Sequence, residues 1–189
     1  MMSTHKTEVK IMPRAIVCED TNLRGDITIS GGCVIHPSAT IVAESGPIII
    51  GENCIIEEYV TIIHRVPREQ MTSGDRAPVL VIGANNVFEV GCHVEAFKIG
   101  ERNVFECRSR VSANVKVSNG CVIGAGCHLS GAQELPENTV ITGKNCLQRE
   151  ALEKQSSQTL QLDFLRKVLP NYHHIRKATF DPKKIRAQV

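Results

Sequence analysis

Seven histidines and eight cysteines are the side chains of this 189-residue chain with the chemistry to bind a metal or act as nucleophiles. No two cysteines have Cys-x-x-Cys spacing, and no cluster has the spacing of a zinc finger. The polar start of the sequence shows no signal-peptide core, so we expect a cytosolic or nuclear protein whose thiols are reduced. The remaining candidates for metal binding or catalysis are therefore individual histidines that the fold would have to bring together.

The overall composition narrows the class of protein. Charged residues make up 22% of the chain, tryptophan is absent, and the formal net charge is only +2. This predicts a globular protein with an aliphatic core, and it gives no argument for nucleic-acid binding. No apolar run is long enough for a membrane helix, so we expect no direct membrane insertion.

A repeat of six residues organises most of the chain. An aliphatic residue or Phe opens each hexad, the fifth position is mostly small, and five of the cysteines fall at that fifth position. Three hexads per coil give three predicted interior columns. These columns are Ile11, Ile29, Ile50, Ile82, Ile99, Val117 and Leu135; Val17, Ile35, Ile56, Phe88, Phe105, Ile123 and Ile141; and Leu23, Ile41, Ile62, Val94, Val111 and Leu129.

This pattern predicts an all-β fold, a single-stranded parallel β-helix of hexapeptide repeats with a C-terminal α-helix. We expect it to be left-handed because known hexapeptide helices are, although the repeat itself does not fix the hand. The fifth-position cysteines then act as small buried hydrophobes. The same register predicts that Phe88 stacks over Phe105 and that Asn86 and Asn103 form a ladder.

The predicted organisation has four parts. Residues 9–147 form the β-helix, with a loop insertion at 64–80 whose length favours a functional or mobile segment. Residues 148–158 form a linker. Residues 159–177 contain a helix, with Leu162, Leu165, Val168 and Leu169 at helical spacing and Leu160 and Phe164 widening the stripe, which we expect to pack on a β-helix face. Residues 178–189 form a basic tail that we expect to be disordered.

Hexapeptide β-helices host two enzymatic activities, and each of them requires histidines at particular positions. A zinc site of the gamma carbonic anhydrase type needs three imidazoles and an open position. His64 precedes the loop, but the register places the other two ligand positions at Val90 and Glu95, and His93 has no partner at the required spacing. For acyl transfer, His64 is the one loop candidate for a general base. We therefore predict no catalytic residue, no metal site and no cofactor.

The surface offers candidates for partner binding instead. Glu57, Glu89 and Glu106 recur at one repeat position and form an acidic stripe. The stripe is either a solvated face or a docking edge for a basic partner. The helix residues Leu162, Leu165, Leu169 and Tyr172 are the other candidates, together with the 64–80 loop.

Several strings in the sequence resemble the dynactin subunit 6 family over about residues 9 to 177. They are Val9-Lys10-Ile11, Leu23-Arg24-Gly25-Asp26, Val34-Ile35-His36-Pro37, Gly46-Pro47-Ile48, Ile56-Glu57-Glu58, residues 85–92 (NNVFEVGC), residues 136–141 (PENTVI), residues 158–165 (QTLQLDFL) and residues 169–174 (LPNYHH). The last two are the most specific, because they are not generic hexapeptide features.

The resemblance implies a non-catalytic subunit of the dynactin pointed-end complex. It implies a direct β-helix pair with dynactin subunit 5, and the pointed-end actin-related protein and dynactin subunit 4 as further partners. It also implies a cytoplasmic, cytoskeleton-associated location, a kinetochore location in mitosis, and a role in dynein-dependent, microtubule-based transport and cargo or adaptor selection. The alternative is a homotrimeric hexapeptide enzyme, either gamma carbonic anhydrase-like or an acyltransferase.

Overall fold

The computed structural model describes residues 7–66, 78–156 and 158–179. Its strands stack into a left-handed β-helix of about seven coils, which confirms the predicted fold class. Successive strands of a coil belong to three different sheets, whose strands pair in parallel except for one antiparallel pair after the last coil. Sheet 1 contains β1 (Glu8–Ile11), β4 (Asp26–Ile29), β7 (Ile48–Ile50), β10 (Leu80–Ile82), β13 (Lys98–Ile99), β16 (Val115–Val117) and β19 (Gln133–Leu135).

The other two sheets complete the triangular section. Sheet 2 contains β2 (Ile16–Val17), β5 (Val34–Ile35), β8 (Ile55–Ile56), β11 (Val87–Phe88), β14 (Val104–Phe105), β17 (Val122–Ile123), β20 (Thr139–Thr142) and β21 (Leu147–Glu150). Sheet 3 contains β3 (Asn22–Arg24), β6 (Thr40–Ala43), β9 (Thr61–His64), β12 (His93–Val94), β15 (Arg110–Val111) and β18 (His128–Leu129). The helix α1 spans Thr159–Tyr172.

The interior columns have the predicted membership and register. Ile11 pairs with Ile29 and Ile29 with Ile50 in sheet 1, and the pairing continues in this way to Leu135. All the predicted interior residues are buried in one continuous hydrophobic cluster. Because side chains alternate in direction along a strand, this one column per sheet fills the narrow interior of the coil.

Two predicted ladders lie inside this core. The rings of Phe88 and Phe105 stack with their centroids 4.7 Å apart and an interplanar angle of 5°. Asn86 and Asn103 form a ladder through the backbone: Asn86 Oδ1 accepts the Asn103 amide at 2.8 Å, and Asn103 Oδ1 accepts the Cys121 amide at 2.7 Å. These buried amide oxygens therefore help to fix the vertical register of three successive coils.

The corners explain the small fifth position of the hexads. The fourth residue is in the left-handed region at most corners that leave sheets 1 and 2, as at Asn53 (φ 56°) and Tyr59 (φ 59°). The chain then turns inward, and the fifth residue is buried against the core, as Cys54 and Val60 are. Burial raises the pKa of the fifth-position thiols Cys92 and Cys121, so these cysteines act as packing residues rather than nucleophiles.

Three boundaries differ from the sequence prediction. The predicted linker 148–158 begins instead with β21, which pairs antiparallel with β20 because the last coil leaves that strand edge free. The helix passes through Pro170 and ends at Tyr172, and residues 173–177 are extended because the chain there pairs with the first coil. The 64–80 insertion starts after β9 and ends at β10, and its residues 67–77 lie outside the described residues.

The Phe88 stack supports a stability prediction. Replacing Phe88 with Ala removes a fully buried ring, so we expect the free energy of unfolding to fall by about 3–5 kcal/mol. Denaturant unfolding followed by circular dichroism measures this change. Phe97→Ala is the matched control, because Phe97 is 44% exposed and its loss should cost less than half as much. Equal losses for the two variants would contradict the stacked-core account.

Candidate docking surface

Helix α1 packs across the outside of sheet 2. Leu162 and Leu169 are buried there, with Leu165 half-buried beside them. They contact the outward side chains Ile16, Val34, Ile55, Val87 and Val104. A 14-residue helix is about 21 Å long, which matches about four spacings between neighbouring strands. The helix therefore spans the five coils that supply those outward residues.

The sequence carries a signal for this docking that the period of six does not reveal. In sheet 2 the residue just before each interior position is also aliphatic, so both faces of the sheet are apolar. In sheets 1 and 3 the corresponding outward positions are mostly polar, as at Lys98, Lys116, Arg110 and His128. An apolar outer face must be covered, so this asymmetry indicates which of the three sides receives the helix.

Arg166 fixes the helix to a corner of the β-helix. Its guanidinium donates to the carbonyl of Gly32 and to Asn53 Oδ1, the latter at 2.8 Å, and it contacts Asp163 at 3.3 Å. Gly32 has a φ of 75°, and a Cβ there would lie 2.3 Å from Asn53 Oδ1 and 2.6 Å from the guanidinium. The glycine is thus required both by the corner and by the approach of Arg166.

Residues 173–179, the C-terminal strap, cover the open edge of the first coil. Ile175 forms an antiparallel bridge with Cys18, and the Arg176 amide donates to the Val17 carbonyl at 2.8 Å. The Thr179 hydroxyl accepts the Ile11 amide at 2.7 Å. Thr179 belongs to the predicted tail 178–189, so that tail begins with an ordered residue, and residues 180–189 lie outside the described residues. The strap satisfies backbone groups that an exposed edge would leave open.

The Arg176 side chain secures the strap. Its guanidinium donates to the carbonyls of Glu19 and Thr21, both at 2.9 Å, and to the Thr21 hydroxyl at 3.2 Å. Nothing in the hexapeptide period points to this contact, because it joins residues that are 155 positions apart.

The acidic stripe of Glu57, Glu89 and Glu106 is engaged within the β-helix. Each carboxylate accepts a backbone amide from a turn of the next coil: Val90 at 3.0 Å, Cys107 at 3.0 Å and Ala125 at 2.8 Å, respectively. Burial, and next the charge of Glu89, raise the pKa of Glu57 even though the Val90 amide opposes them. The structure brings the three residues together along one side, where they link successive coils.

His36 and Glu58 form a second link between coils. His36 Nδ1 lies within hydrogen-bonding distance of Glu58 Oε1, at 2.7 Å, and the histidine is 7% exposed. Burial raises the pKa of Glu58, but the hydrogen bond from His36 and its charge outweigh burial and hold that pKa below its ordinary value of 4.5.

The histidine candidates for catalysis are not assembled into a site. His64 is buried and its Nε2 donates to the Pro78 carbonyl at 2.9 Å, so it ties the two ends of the 64–80 insertion. His93 donates to Glu95 instead of facing a second imidazole. Among the described residues, no group of three histidine, cysteine or acidic side chains is arranged to hold a metal ion.

The outer side of α1 presents large apolar side chains that are mostly exposed among the described residues. Leu160 is 88% exposed and Phe164 is 62% exposed, so they do not widen the buried stripe as the helical spacing predicted. The helix meets a flat sheet, which covers only the narrow arc around Leu162, Leu165 and Leu169. Tyr172 is 78% exposed at the end of the same helix. We call Leu160, Phe164 and Tyr172 the outer helix face.

Comparison with known proteins identifies the family. The chain is 49% identical over 172 residues to a protein named dynactin subunit 6 from Xenopus tropicalis, with 90% of this chain and 86% of the relative covered. A protein of the same name from Danio rerio is 47% identical over 176 residues, covering 92% and 90%. The chain belongs to the dynactin subunit 6 family. A same-named protein from Dictyostelium discoideum extends the match at 33% identity over 188 residues.

Comparison with solved structures supports the fold of this chain and nothing further. A hexapeptide transferase family protein from Anaplasma phagocytophilum superposes with a TM-score of 0.65 at 16% identity, covering 88% of this chain and 89% of that protein. A scan against protein-family models gives no match. In the described parts of the chain, no helix has the length and apolar character needed to cross a membrane.

The Gly32 corner allows a test of helix anchoring. Gly32→Ala should displace the guanidinium of Arg166 and lower the free energy of unfolding, and amide exchange in α1 should accelerate at least tenfold. Gly131→Ala is the matched control, because Gly131 has a similar φ of 79° but open space around its Cα. Both variants carry the left-handed cost of about 1 kcal/mol, so only the first should loosen the helix. Unchanged exchange in α1 would contradict the anchoring role of Arg166.

The pKa of Glu58 predicts a pH-dependent stability. Because the folded pKa of Glu58 is depressed, the hydrogen bond that its charged carboxylate accepts from His36 contributes fully above the ordinary value of 4.5, and this contribution is lost as pH falls through the lower folded pKa. Glu58→Gln should therefore lower the melting temperature by a few degrees at about pH 7, and the difference should shrink as pH falls below the ordinary value of 4.5. Glu52→Gln, an exposed change on the same coil, is the control. A difference that persists at low pH would show that packing, not charge, is responsible.

Proposed function

We propose that this chain is a non-catalytic subunit of the dynactin pointed-end complex, where it acts as a rigid docking module. The observation that carries the proposal is its identity of 47–49% to curated dynactin subunit 6 proteins over about nine-tenths of its length. The proposed partners are dynactin subunit 5 as a direct β-helix neighbour, the pointed-end actin-related protein and dynactin subunit 4. The role is support of dynein-dependent, microtubule-based transport and of cargo or adaptor selection.

The proposed location follows from that assembly. The subunit would be cytoplasmic and cytoskeleton-associated, with a kinetochore location in mitosis. No nucleic acid, cofactor or metal enters the proposed function. A rigid module suits this role because its core is one continuous cluster and its coils are linked by side-chain contacts outside the core as well as by backbone pairing.

The enzyme alternative has little support from the side chains. A zinc site needs three imidazoles, and Val90 and Glu95 occupy the register positions where two of them would be required. A general base needs a free nitrogen within reach of substrate, but His64 is buried against Pro78. The similarity to a hexapeptide transferase concerns the scaffold and gives no reason to assign transfer chemistry.

We propose that the outer helix face contributes to the contact with dynactin subunit 5. Leu160, Phe164 and Tyr172 combine exposure with large apolar or aromatic surface, which is the composition of an interface core. Leu162, Leu165 and Leu169 act indirectly, because they hold the helix on sheet 2. The acidic stripe is a weaker candidate for docking, since one oxygen of each carboxylate already accepts a backbone amide.

A tagged pull-down from native lysate, followed by sizing and mass spectrometry, tests the function. We expect recovery in a megadalton particle that contains dynactin and actin-related subunits. Recovery as a free particle of about three copies would overturn the proposal. Zinc content and carbonic anhydrase activity of that particle would then become the decisive measurements.

Two pairs of substitutions test the surface. Leu160→Asp with Phe164→Asp should leave the melting temperature unchanged, because both side chains are exposed, but should reduce recovery of subunit 5 at least tenfold. Ile49→Asp with Val81→Asp is the matched control, since these side chains are 39% and 52% exposed on sheet 1. Wild-type recovery of subunit 5 by the variant with Leu160→Asp and Phe164→Asp would rule out the outer helix face as the contact. An equal loss of subunit 5 from the variant with Ile49→Asp and Val81→Asp would rule it out as well.

A further inference from the structure

A polar depression lies on the outer surface of sheet 3, away from α1. It has a volume of about 180 Å³. The side chains that line it are His93, Glu95, Arg110, Val111, Ser112 and His128. The strand register sets this arrangement, because His93 pairs with Arg110 and Arg110 with His128 on three successive coils. Three basic side chains are therefore stacked in one column at intervals of about 4.8 Å.

Arg110 is the centre of this column and has no partner in the described parts of the chain. Its side chain is exposed, and no hydrogen bond or ion pair from it to a described residue is formed. Two other arginines, by contrast, are held by the fold: Arg65 contacts Glu44 through two hydrogen bonds, and Arg166 anchors the helix. A guanidinium presents five donors in a planar fork, so an unpaired one between two imidazoles forms a site for an oxyanion.

The charge balance favours a singly charged group. Glu95 is the one acidic residue in the lining, and its carboxylate accepts His93 Nε2 at 3.0 Å. Arg110 is the one permanent positive charge among the residues that line the depression, and it is not paired with any described residue. A carboxylate, with a single charge and two oxygens in one plane, matches a guanidinium fork with a histidine on either side.

The size of the depression indicates what kind of molecule presents that carboxylate. Sites for free small molecules usually enclose about 300–1,000 Å³, which is well above the volume here. A shallow site of this size accepts one side-chain group presented by a larger partner. The neighbouring outward residues of sheet 3, such as Thr40 and Thr61, are polar and continue the column along the β-helix. They offer hydrogen bonds to an extended chain that crosses the coils.

We propose that this depression binds an acidic peptide segment, with one glutamate or aspartate carboxylate paired to Arg110 and flanked by His93 and His128. The proposal does not depend on membership of the pointed-end complex, because the isolated full-length chain provides the complete site. It is also separate from the outer helix face, which lies on sheet 2.

The test uses a dye-labelled hexaglutamate peptide and fluorescence anisotropy at about 50 mM salt. We expect saturable binding that Arg110→Gln weakens at least tenfold and that His128→Asn weakens a few-fold. Arg14→Gln is the matched control, because it removes the same charge from an exposed position on the first coil. That control should change the dissociation constant by less than about twofold. Unchanged melting temperatures would show that the variants are folded.

Four results would overturn the proposal. Wild-type affinity in Arg110→Gln would exclude the site, and so would the absence of saturable binding by the wild type. An equal loss in Arg14→Gln would show that the peptide follows the overall charge of the protein. A parallel titration with a singly phosphorylated peptide of the same length distinguishes the anions: binding through Arg110 at least as tight as that of hexaglutamate would refute the assignment to a carboxylate.

Discussion

Each coil of this protein must place its interior residue directly over that of the coil before it. Parallel strands form their hydrogen bonds in one register, and a shift by one residue would turn the aliphatic side chain outward. All irregularities of the repeat accordingly fall between strands: the extra residues between β6 and β7, the insertion between β9 and β10, and the shortened step between β12 and β13. The columns continue across every interruption, so the docking surfaces keep fixed positions relative to one another.

The links between coils outside the core have the same origin. A side chain at a given repeat position always has the same neighbour one coil away. Glu57, Glu89 and Glu106 can therefore each reach a turn amide of the next coil, and Asn86 and Asn103 can do the same inside the core. Repetition also aligns side chains that have no such partner, and His93, Arg110 and His128 form a column of that kind. A single constraint thus produces both the rigid body and its chemically distinct sides.

The sequence predicted the parts of the structure that follow from local periodicity. The interior columns, the Phe88–Phe105 stack and the buried cysteines depend only on spacing, and all of them are present. The side that receives α1 was not predicted, because it depends on outward residues such as Val34 and Ile55, which the period of six does not select. The roles of Arg166 and Arg176 were also missed. Their partners lie more than 100 residues away, at backbone carbonyls that no side-chain pattern reveals.

The strap joins residues at opposite ends of the chain, since the hydrogen bond from Ile11 to Thr179 closes a separation of 168 positions. During synthesis the first coils emerge early, whereas the strap that covers their open edge emerges only after every later coil and α1. The edge of β2 therefore stays unpaired until those elements have been made, and unpaired strand edges can associate with other chains. Loss of residues 173–179 by a frameshift or by proteolysis would recreate this condition in the finished protein.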